Sequence, residues 1–195
     1  MPIMIALLRG VNVGGHHKVK MDELRALCQT LKLRDAQTYV QSGNVVFRTD
    51  EVDALRLAKR LEDAIERKFG FHADIVLRTP AELKKLIAGS PFANRKGLEP
   101  GKLVVTFFAC DLEEDRCQQI RSLKAEVEEI QLAPRELFIY FPDGMGRSKL
   151  VPLLDRTLKK TGTARNWNTV TKLLAMAEAL ESASQTSSNK AKAKS

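Results

Sequence analysis

Apolar runs and helical spacings alternate along the chain, and their order predicts its architecture. Ile3–Arg9 (IMIALLR) is a short, nearly continuous apolar run, which is typical of a buried strand. Met21–Lys32 carries apolar residues three and four positions apart, which is the spacing of one helical face. The patterns of the first half predict strand 3–9, helix 21–32, strands 36–41 and 44–48, helix 52–69 and strand 72–77. This βαββαβ order is typical of a ferredoxin-like unit.

A similar order of elements recurs in the second half of the chain. Thr79-Pro80-Ala81-Glu82 has the pattern of a capping box and predicts a short helix that ends near Gly89. The patterns that follow predict strand 103–110, helix 113–127, strands 129–133 and 137–141, helix 148–160 and a last helix from 168 to about 181. We therefore expect an α+β fold with an internal structural duplication, built from two ferredoxin-like βαββα(β) halves plus a C-terminal helix.

These elements also predict the domain organisation. Residues 1–78 form the ferredoxin-like N-terminal half, and residues 79–101 form a linker helix and loop. Residues 102–181 form the second ferredoxin-like half with the C-terminal helix. Residues 182–195 are rich in Ser, Ala and Lys and contain no large apolar side chain. Because such a segment cannot offset its ordering entropy, we expect a disordered basic tail.

Composition excludes several classes of protein. The chain has 195 residues, of which 44% are hydrophobic and 29% charged, so it is neither disordered throughout nor a disulfide-stapled mini-protein. No apolar run approaches the roughly 18 residues of a membrane-spanning helix, and the N-terminus lacks the pattern of a signal peptide. The three cysteines lack the spacing of a zinc site. We expect a cytoplasmic protein that works without a membrane, a metal or a cofactor.

The formal net charge of +8 is concentrated in a few segments. Residues 147–172 contain seven Lys or Arg and a single acid, Asp155, which gives them a local charge of +6. A local excess of one sign attracts ligands of the other sign. This excess predicts an anionic partner, either a small molecule or a nucleic acid. A solvated helix face followed by a basic tail has the same composition, and this alternative stays open.

Four polar segments are candidate ligand-binding loops. Arg9–Lys20 and Asp143–Lys149 combine glycines with basic side chains before a helix, an arrangement whose backbone N–H groups can surround an anion. Gln41–Asn44 is a hairpin turn that we expect beside the first loop, because the first and third strands are antiparallel neighbours. Thr163–Val170 holds the only tryptophan beside basic and amide groups that suit a planar ligand. The predicted ligand-binding residues are Arg9, Asn12, Gly14, Gly15, Lys18, Gln41, Ser42, Asn44, Arg147, Ser148, Lys149, Arg165, Asn166 and Trp167.

Each of these segments also has an ordinary structural explanation. Ser-Gly and Gly-Asn are common turn residues, Ser148 is a good helix cap, and Trp167 suits a packing position. The ligand-binding hypothesis adds one requirement to these explanations. It requires the four segments to converge on one positively charged pocket.

The same segments resemble the signatures of a known family. Ala6–Gly15 (ALLRGVNVGG), Thr38–Phe47 (TYVQSGNVVF), Gly146–Lys149 (GRSK) and Thr163–Leu173 (TARNWNTVTKL) resemble those of the bacterial family called domain of unknown function 1697. The resemblance extends from about Ile3 to Met176. It implies a duplicated ferredoxin-like fold, which agrees with the predicted order of elements. The family brings no established activity, so the resemblance implies no catalytic residue.

Three functions are open on the sequence. The first and preferred one is a module that binds a phosphate-bearing or otherwise anionic ligand, such as a nucleotide or a nucleic acid. The second is an enzyme acting on a small anionic substrate, in which Lys149 is the best candidate for an ionisable catalytic group. The third is an interaction or scaffold protein without a small ligand, whose signatures hold turns and helix caps. We expect a monomer or a weak homodimer.

Overall fold

The computed structural model describes residues 1–159 and 161–192, with side chains described as far as Ala183. Within these residues the chain forms six α-helices and two four-stranded antiparallel sheets, which confirms the predicted α+β class. None of the described helices is long and apolar enough to span a membrane. The chain divides into two compact units. The first unit comprises Met1–Leu86 and the chain from Thr171 onward, and the second unit comprises Ile87–Val170.

The first unit contains the first sheet and the two helices that cover it. Its elements are β1 (Ile3–Leu8), α1 (Met21–Thr30), β2 (Arg34–Tyr39), β3 (Asn44–Arg48), α2 (Ala54–Phe69) and β4 (Ile75–Arg78). The strands are arranged in the order β2-β3-β1-β4. Leu8 at the end of β1 pairs with Ile75, and Leu7 pairs with Asn44. The loop after β1 and the chain segments entering β3 and β4 therefore lie at the same end of the sheet.

The helix predicted at α2 directs one apolar face into the core, although Leu55, which the predicted spacing includes, is exposed. Leu57, Leu61 and Ile65 are buried and belong to the same apolar cluster as Ala6 and Phe47 of the sheet. Complete burial of a leucine or isoleucine side chain stabilises a fold by about 1.5–3 kcal/mol. This packing stabilises the sheet at whose end the first candidate loops lie.

Local hydrogen bonds and a glycine set the ends of α2 and the start of the following helix. The Asp53 carboxylate accepts hydrogen bonds from two backbone N–H groups in the first turn of α2, and Gly70 ends that helix at φ +76°. The helix α3 (Pro80–Ala88) begins with reciprocal bonds between Thr79 and Glu82. The predicted capping box is therefore confirmed.

The second unit repeats the strand order of the first. Its elements are β5 (Leu103–Phe107), α4 (Glu114–Arg121), β6 (Glu129–Ala133), β7 (Glu136–Tyr140), α5 (Leu150–Leu158) and β8 (Thr163–Asn166). The strands are arranged in the order β6-β7-β5-β8. Arg165 lies opposite Val105, the third residue of β5, just as Arg78 lies opposite Ile5, the third residue of β1. Both arginines are buried, and this repetition indicates duplication.

The strand β8 is an element that the sequence patterns do not predict. It consists of Thr-Ala-Arg-Asn, which contains no large apolar side chain, so neither the apolar nor the alternating pattern of a strand is visible. Thr163 and Arg165 are nevertheless buried, whereas Ala164 and Asn166 are more exposed. The strand pairs with β5 and completes a second βαββαβ series.

Two helices of the second unit are shorter than predicted. α4 ends at Arg121, and Ser122 caps it, since the N–H and the hydroxyl of Ser122 donate to backbone carbonyls of the last turn. α5 begins at Leu150 because Met145–Arg147 form a separate 3-10 turn. It ends at Leu158, where the next residue adopts a left-handed conformation.

The last helix, α6, is longer than predicted. It covers Trp167–Lys192 instead of ending near Glu181, since the added turns contain no glycine or proline. Residues 193–195 of the predicted basic tail lie outside the described residues. The guanidinium of Arg48 donates to the carbonyl of Leu180, which ties the later part of α6 to the first unit. This grouping differs from the predicted one, in which the C-terminal helix belongs to the second half.

Candidate ligand-binding site

The loop after β1 forms a small hairpin. Val13 bridges His16, and Gly14 and Gly15 make the turn between them at φ +58° and +81°. Positive φ at both turn residues is the geometry of a two-residue hairpin and favours glycine. The two glycines that the sequence predicts to surround an anion thus make the hairpin turn.

The start of α1 next to this loop carries its own acids. Asp22 and Glu23 lie in the first helical turn, where they complement the positive end of the helix dipole. The Nζ atom of Lys20 lies 4.0 Å from a carboxylate oxygen of Glu23. Lys18 is exposed and, within the described part of the chain, has no ion-pair partner. Lys18 is therefore the cation of this loop that is open to an external anion.

Asn12 joins the loop to the turn before β3. Its side-chain amide donates to the carbonyl of Gln41 at 2.6 Å and to that of Val19 at 3.0 Å. Its side-chain oxygen accepts from the N–H of Val19 at 2.9 Å. The structure thus brings Asn12 and Gln41 together, as the strand topology predicts. Both ends of the Asn12 side chain are engaged in holding the loop.

The turn before β3 is closely packed. Asn44 is completely buried, and its amide donates to the carbonyl of Tyr39 at 2.9 Å and to the hydroxyl of Ser42 at 3.0 Å. Gly43 has φ +72°, and a Cβ atom there would lie 2.3 Å from a methyl carbon of Val11. The Ser-Gly-Asn signature therefore fits a tight turn against the first loop.

Arg9 takes part in a polar cluster at the same end of the sheet. Its guanidinium donates to Asp74 at 2.8 Å, and the other carboxylate oxygen of Asp74 lies 3.1 Å from Nε2 of His72. Beside this cluster, His17 stacks on Phe71 with a centroid distance of 4.3 Å. Arg9 is thus paired with a carboxylate of its own unit. Within the described residues, no group of three His, Cys, Asp or Glu side chains is arranged to hold a metal ion.

The second unit has a pocket of about 460 Å³ where the chain leaves β7. Its charged lining residues are Lys102, Arg147, Lys149, Glu126, Glu128 and Asp143. Acidic and basic side chains are equal in number, so the pocket is not the positively charged one that the sequence predicts. The difference arises because the acidic segment before β6 folds against the basic glycine loop.

Glu128 is held by several donors beside the pocket. Its carboxylate accepts from the backbone N–H groups of Glu126 at 3.0 Å and Val127 at 3.3 Å, and from the hydroxyl of Ser148. The hydrogen bond from Ser148 is the main reason that the pKa of Glu128 is lowered. The Ser148 hydroxyl also accepts from the N–H of Leu150 at 3.1 Å at the start of α5. Ser148 thus links the helix start to an internal carboxylate.

The two cations of the glycine loop differ in their partners. The Nζ atom of Lys149 lies 3.0 Å from a carboxylate oxygen of Glu126, and this hydrogen bond raises the pKa of Lys149. A lysine that acts as a base needs a lowered pKa, so this environment disfavours the predicted catalytic role. Arg147 is exposed at the pocket and has no ion-pair partner among the described residues.

Arg165 is buried in β8 and does not form part of an exposed basic surface. Its guanidinium donates to the hydroxyl of Thr163 at 2.7 Å and to the carbonyl of Ala164 at 2.8 Å. Burial lowers the pKa of Arg165 to about 10. The local charge of +6 read from the sequence therefore overstates the positive surface of this segment.

The residues after Arg165 connect β8 to α6. The side-chain amide of Asn166 donates to the carbonyl of Gly101 at 2.7 Å, and its side-chain oxygen accepts from the N–H of Asn168 at 3.0 Å. Trp167 packs against Phe138 with a centroid distance of 6.4 Å. Asn166 thus caps α6, and Trp167 occupies the packing position that the sequence leaves open as an alternative.

The predicted segments fall into two pairs, one in each unit. In the first unit, Arg9–Lys20 contacts Gln41–Asn44 through the Asn12 amide. In the second unit, Asp143–Lys149 follows β7 and Thr163–Val170 contains the end of β8. Because β7 and β8 are both antiparallel to β5, these two segments lie at the same end of the second sheet.

Three charged residues of the pocket lie outside the four predicted segments. These are Lys102, Glu126 and Glu128. The acidic run Glu126-Val127-Glu128-Glu129 is visible in the sequence, but nothing in its spacing assigns it to the basic loop twenty residues later. Only the hairpin of β6 and β7 brings the two together.

Two antiparallel sheets with the same strand order define the class: an α+β protein with repeated halves. The chain belongs to the family described as "Protein of unknown function (DUF1697)", whose sequence model matches residues 1–138. This match confirms the resemblance read from the sequence, although the signatures at 146–149 and 163–173 lie beyond the matched residues.

A solved structure supports the same fold. The conserved bacterial protein SP0830 from Streptococcus pneumoniae is similar to this chain with a TM-score of 0.76 and 22% sequence identity. The similarity covers 91% of this chain and 99% of that chain. At this identity the similarity concerns the fold alone. No curated protein matches the chain.

Proposed function

We propose that the protein is a binding module for a small phosphate-bearing or otherwise anionic ligand, such as a nucleotide, and that the pocket of the second unit is its site. The exposed guanidinium of Arg147 carries this proposal, because it lines the pocket without an ion-pair partner among the described residues. A guanidinium ion binds phosphate or carboxylate through two parallel hydrogen bonds. The volume of about 460 Å³ suits a small organic ligand.

The surroundings of Arg147 support the same function. Lys149 and Glu126 form an exposed ion pair, and such pairs contribute little to stability because solvent screens them. An incoming anion can therefore replace the Glu126 carboxylate at little cost. Gly144 has φ +86° in the preceding loop, and a Cβ atom there would have no neighbour within 4 Å. The loop has room to adjust around a ligand.

The charge balance of the pocket favours a small ligand over a nucleic acid. The carboxylates of Glu126, Glu128 and Asp143 repel an extended polyanion that follows the surface. A compact ligand can bring its anionic group to Arg147 and a hydrogen-bond donor to one of these carboxylates. The enzyme alternative is weaker, because the raised pKa of Lys149 leaves it a poor base.

A scaffold function is the second candidate, and the first unit supports it. Asn12 and Asn44 use their amide groups to hold backbone carbonyls, and Gly43 packs closely against Val11. These family signatures have structural roles that need no ligand. In this alternative, Arg147 and Lys149 are surface cations only.

Finer features of the fold belong to the same proposal. Each sheet has the antiparallel order in which the first and third strands are central, and this supports two ferredoxin-like halves. The linker boundaries after residues 78 and 101 are proposed on the element order. Three free cysteines are compatible with a reducing compartment, and we propose the cytoplasm as the location.

A thermal-shift panel tests the binding function. Inorganic pyrophosphate, nucleotides and sugar phosphates are titrated into the wild type, Arg147→Ala and Arg156→Ala. Arg156 is the matched control, because it is an exposed arginine of α5 that does not line the pocket. A ligand at a hundred times its Kd stabilises the folded state by about 2.7 kcal/mol, which raises the Tm by several degrees.

The proposal predicts that at least one compound raises the Tm of the wild type and of Arg156→Ala but not that of Arg147→Ala. If no compound raises the Tm, or if both variants respond alike, the pocket is not an anion site. The scaffold function would then be the better account of the family signatures.

A further inference from the structure

The two sheets have four outer strands, and these differ in how well they are protected from pairing with another chain. β2 and β4 lie at the edges of the first sheet, and β6 and β8 lie at the edges of the second. β4 and β8 contain four residues each, and most of these are buried. Short or covered edge strands are poor templates for pairing. β2 and β6 are the longer and more exposed ones.

β2 carries the features by which proteins block an exposed edge. Its register with β3 shifts between Arg34 and Gln37, and Asp35 has φ +53° within the shift. The charged side chains of Arg34 and Asp35 are exposed at this irregularity. A bulge and charged residues at an edge both prevent another strand from pairing there.

β6 lacks these protections. It pairs with β7 in an unbroken register, and the strand Glu-Ile-Gln-Leu-Ala contains neither lysine nor proline. Its single charge, on Glu129, is neutralised within the unit by Arg95, whose guanidinium lies 2.7 Å from the carboxylate. Arg95 is itself held over the ring of Tyr140 at 3.9 Å. The edge therefore presents no uncompensated charge to a partner strand.

The hairpin geometry shows which backbone groups of β6 are open. Residues 134–135 form a two-residue turn, so the flanking pair Ala133 and Glu136 exchanges both of its hydrogen bonds. Because hydrogen-bonded and non-hydrogen-bonded pairs alternate, Ile130 and Leu132 direct their N–H and C=O groups away from β7. Within the described residues β6 has no second neighbouring strand.

The sequence of β6 complements itself when two copies run antiparallel about Gln131. Ile130 of one copy then lies opposite Leu132 of the other, and these two residues exchange the outward backbone hydrogen bonds. Glu129 lies opposite Ala133, which avoids a repulsive pair of like charges. Gln131 lies opposite its own counterpart in a non-hydrogen-bonded pair, where facing side chains are close enough to hydrogen-bond.

We infer that β6 is a self-association edge and that its partner is the β6 strand of a second copy of this chain. The interface is two-fold symmetric, as expected for a homodimer. It consists of one strand pair, which is smaller than a standard protein interface, so the dimer forms at high protein concentration and dissociates on dilution. This inference is independent of the proposed ligand pocket.

Sedimentation equilibrium over a concentration series tests the inference with Gln131→Lys. Gln131 is exposed, so lysine leaves the monomer fold intact, but in the dimer it would place two ammonium groups side by side. The wild type should approach twice the monomer mass of 21.8 kDa as its concentration rises, and the variant should stay a monomer. Gln37→Lys, at an exposed position on β2, is the matched control and should behave as the wild type.

An equimolar mixture of Gln131→Lys and Gln131→Glu tests the register itself. Each variant alone should stay monomeric, and the mixture should recover dimers because opposite charges then face each other. A wild type that stays monomeric at every concentration overturns the inference. A Gln131→Lys variant that associates as strongly as the wild type overturns it as well, and a mixture without recovery overturns the register about Gln131.

Discussion

The side-chain amide of Asn12 donates to the main-chain carbonyl of Gln41 across 2.6 Å. The two residues are far apart in sequence, and this bond joins the loop after β1 to the turn before β3. Asn12 adopts a left-handed conformation with φ +55°, which asparagine tolerates better than most residues. Part of the family signature thus builds one end of the first sheet.

Replacing Asn12 should destabilise the protein. Asn12→Ala removes the hydrogen bonds to Gln41 and Val19. The alanine must still adopt the left-handed conformation, without the hydrogen bonds that offset its cost. We expect the free energy of unfolding in a urea titration to fall by about 2–3 kcal/mol. Gln41→Ala is the control, because only the main chain of Gln41 takes part, and it should change stability by less than about 0.5 kcal/mol. Equal effects of the two variants would contradict the role of the Asn12 amide.

Two glycine substitutions distinguish close packing from backbone conformation. A Cβ atom at Gly43 would lie 2.3 Å from Val11 and 2.8 Å from Leu8, whereas a Cβ atom at Gly15 would meet nothing within 4 Å. Both glycines have positive φ, so both alanine variants carry a conformational cost of about 1–2 kcal/mol. Gly43→Ala should cost at least about 2 kcal/mol more, as measured by denaturant unfolding. Similar losses in the two variants would show that the turn before β3 has free space.

Cys28 and Cys110 should differ sharply in reactivity. Cys28 lies on the buried face of α1, and desolvation raises its pKa to about 12, so almost no thiolate is present near neutral pH. Cys110 is exposed. In a thiol titration of the native protein at pH 8, Cys110 should react first, and Cys28 should react only after unfolding. Cys110→Ser should remove the fast phase, and a fast phase that persists in this variant would contradict the assignment.

The environment of Glu128 predicts how stability depends on pH. Its pKa is lowered in the folded state from the ordinary 4.5, chiefly by the hydrogen bond from Ser148. A carboxyl with a lowered folded pKa stabilises the protein above its unfolded pKa, and this stabilisation is lost as the pH falls through the folded pKa. Glu128→Gln should therefore lose less stability than the wild type when the pH is lowered from 6 into that acidic range.

Glu113→Gln is the control for this pH series. Glu113 precedes α4, and its side chain makes no capping hydrogen bond there. This variant should follow the acid dependence of the wild type in thermal melts at each pH. If Glu128→Gln also follows the wild type, the carboxylate of Glu128 is not held as its hydrogen bonds indicate.

The periodic parts of the sequence predict the fold well, and its exceptions have clear physical causes. The apolar spacing of α2 and the capping box at Thr79 predict their elements because packing and local hydrogen bonds act over a few residues. β8 escapes prediction because its buried positions are occupied by Thr163 and Arg165, which look polar in sequence. Its burial depends on pairing with β5, a long-range contact without a local signal.

The candidate site is less predictable than the fold. Strand topology alone places Asn12 beside Gln41, because antiparallel neighbours bring distant loops to the same end of a sheet. The net charge of the second-unit pocket cannot be predicted from the sequence in the same way. Arg165 counts as a cation in the sequence but is buried, and the carboxylates of Glu126 and Glu128 offset the basic loop after a chain reversal.

Amide chemical shifts recorded during a titration with inorganic pyrophosphate test the proposed pocket most directly. We predict saturable shifts at Gly144, Gly146 and Arg147 that disappear in Arg147→Ala and persist in Arg156→Ala. Gly14 and Gly15 in the first unit should stay unchanged and report any unspecific effect of the anion. Shifts that are absent from the 144–149 loop, or that are largest at Gly14 and Gly15, would contradict an anion site built around Arg147.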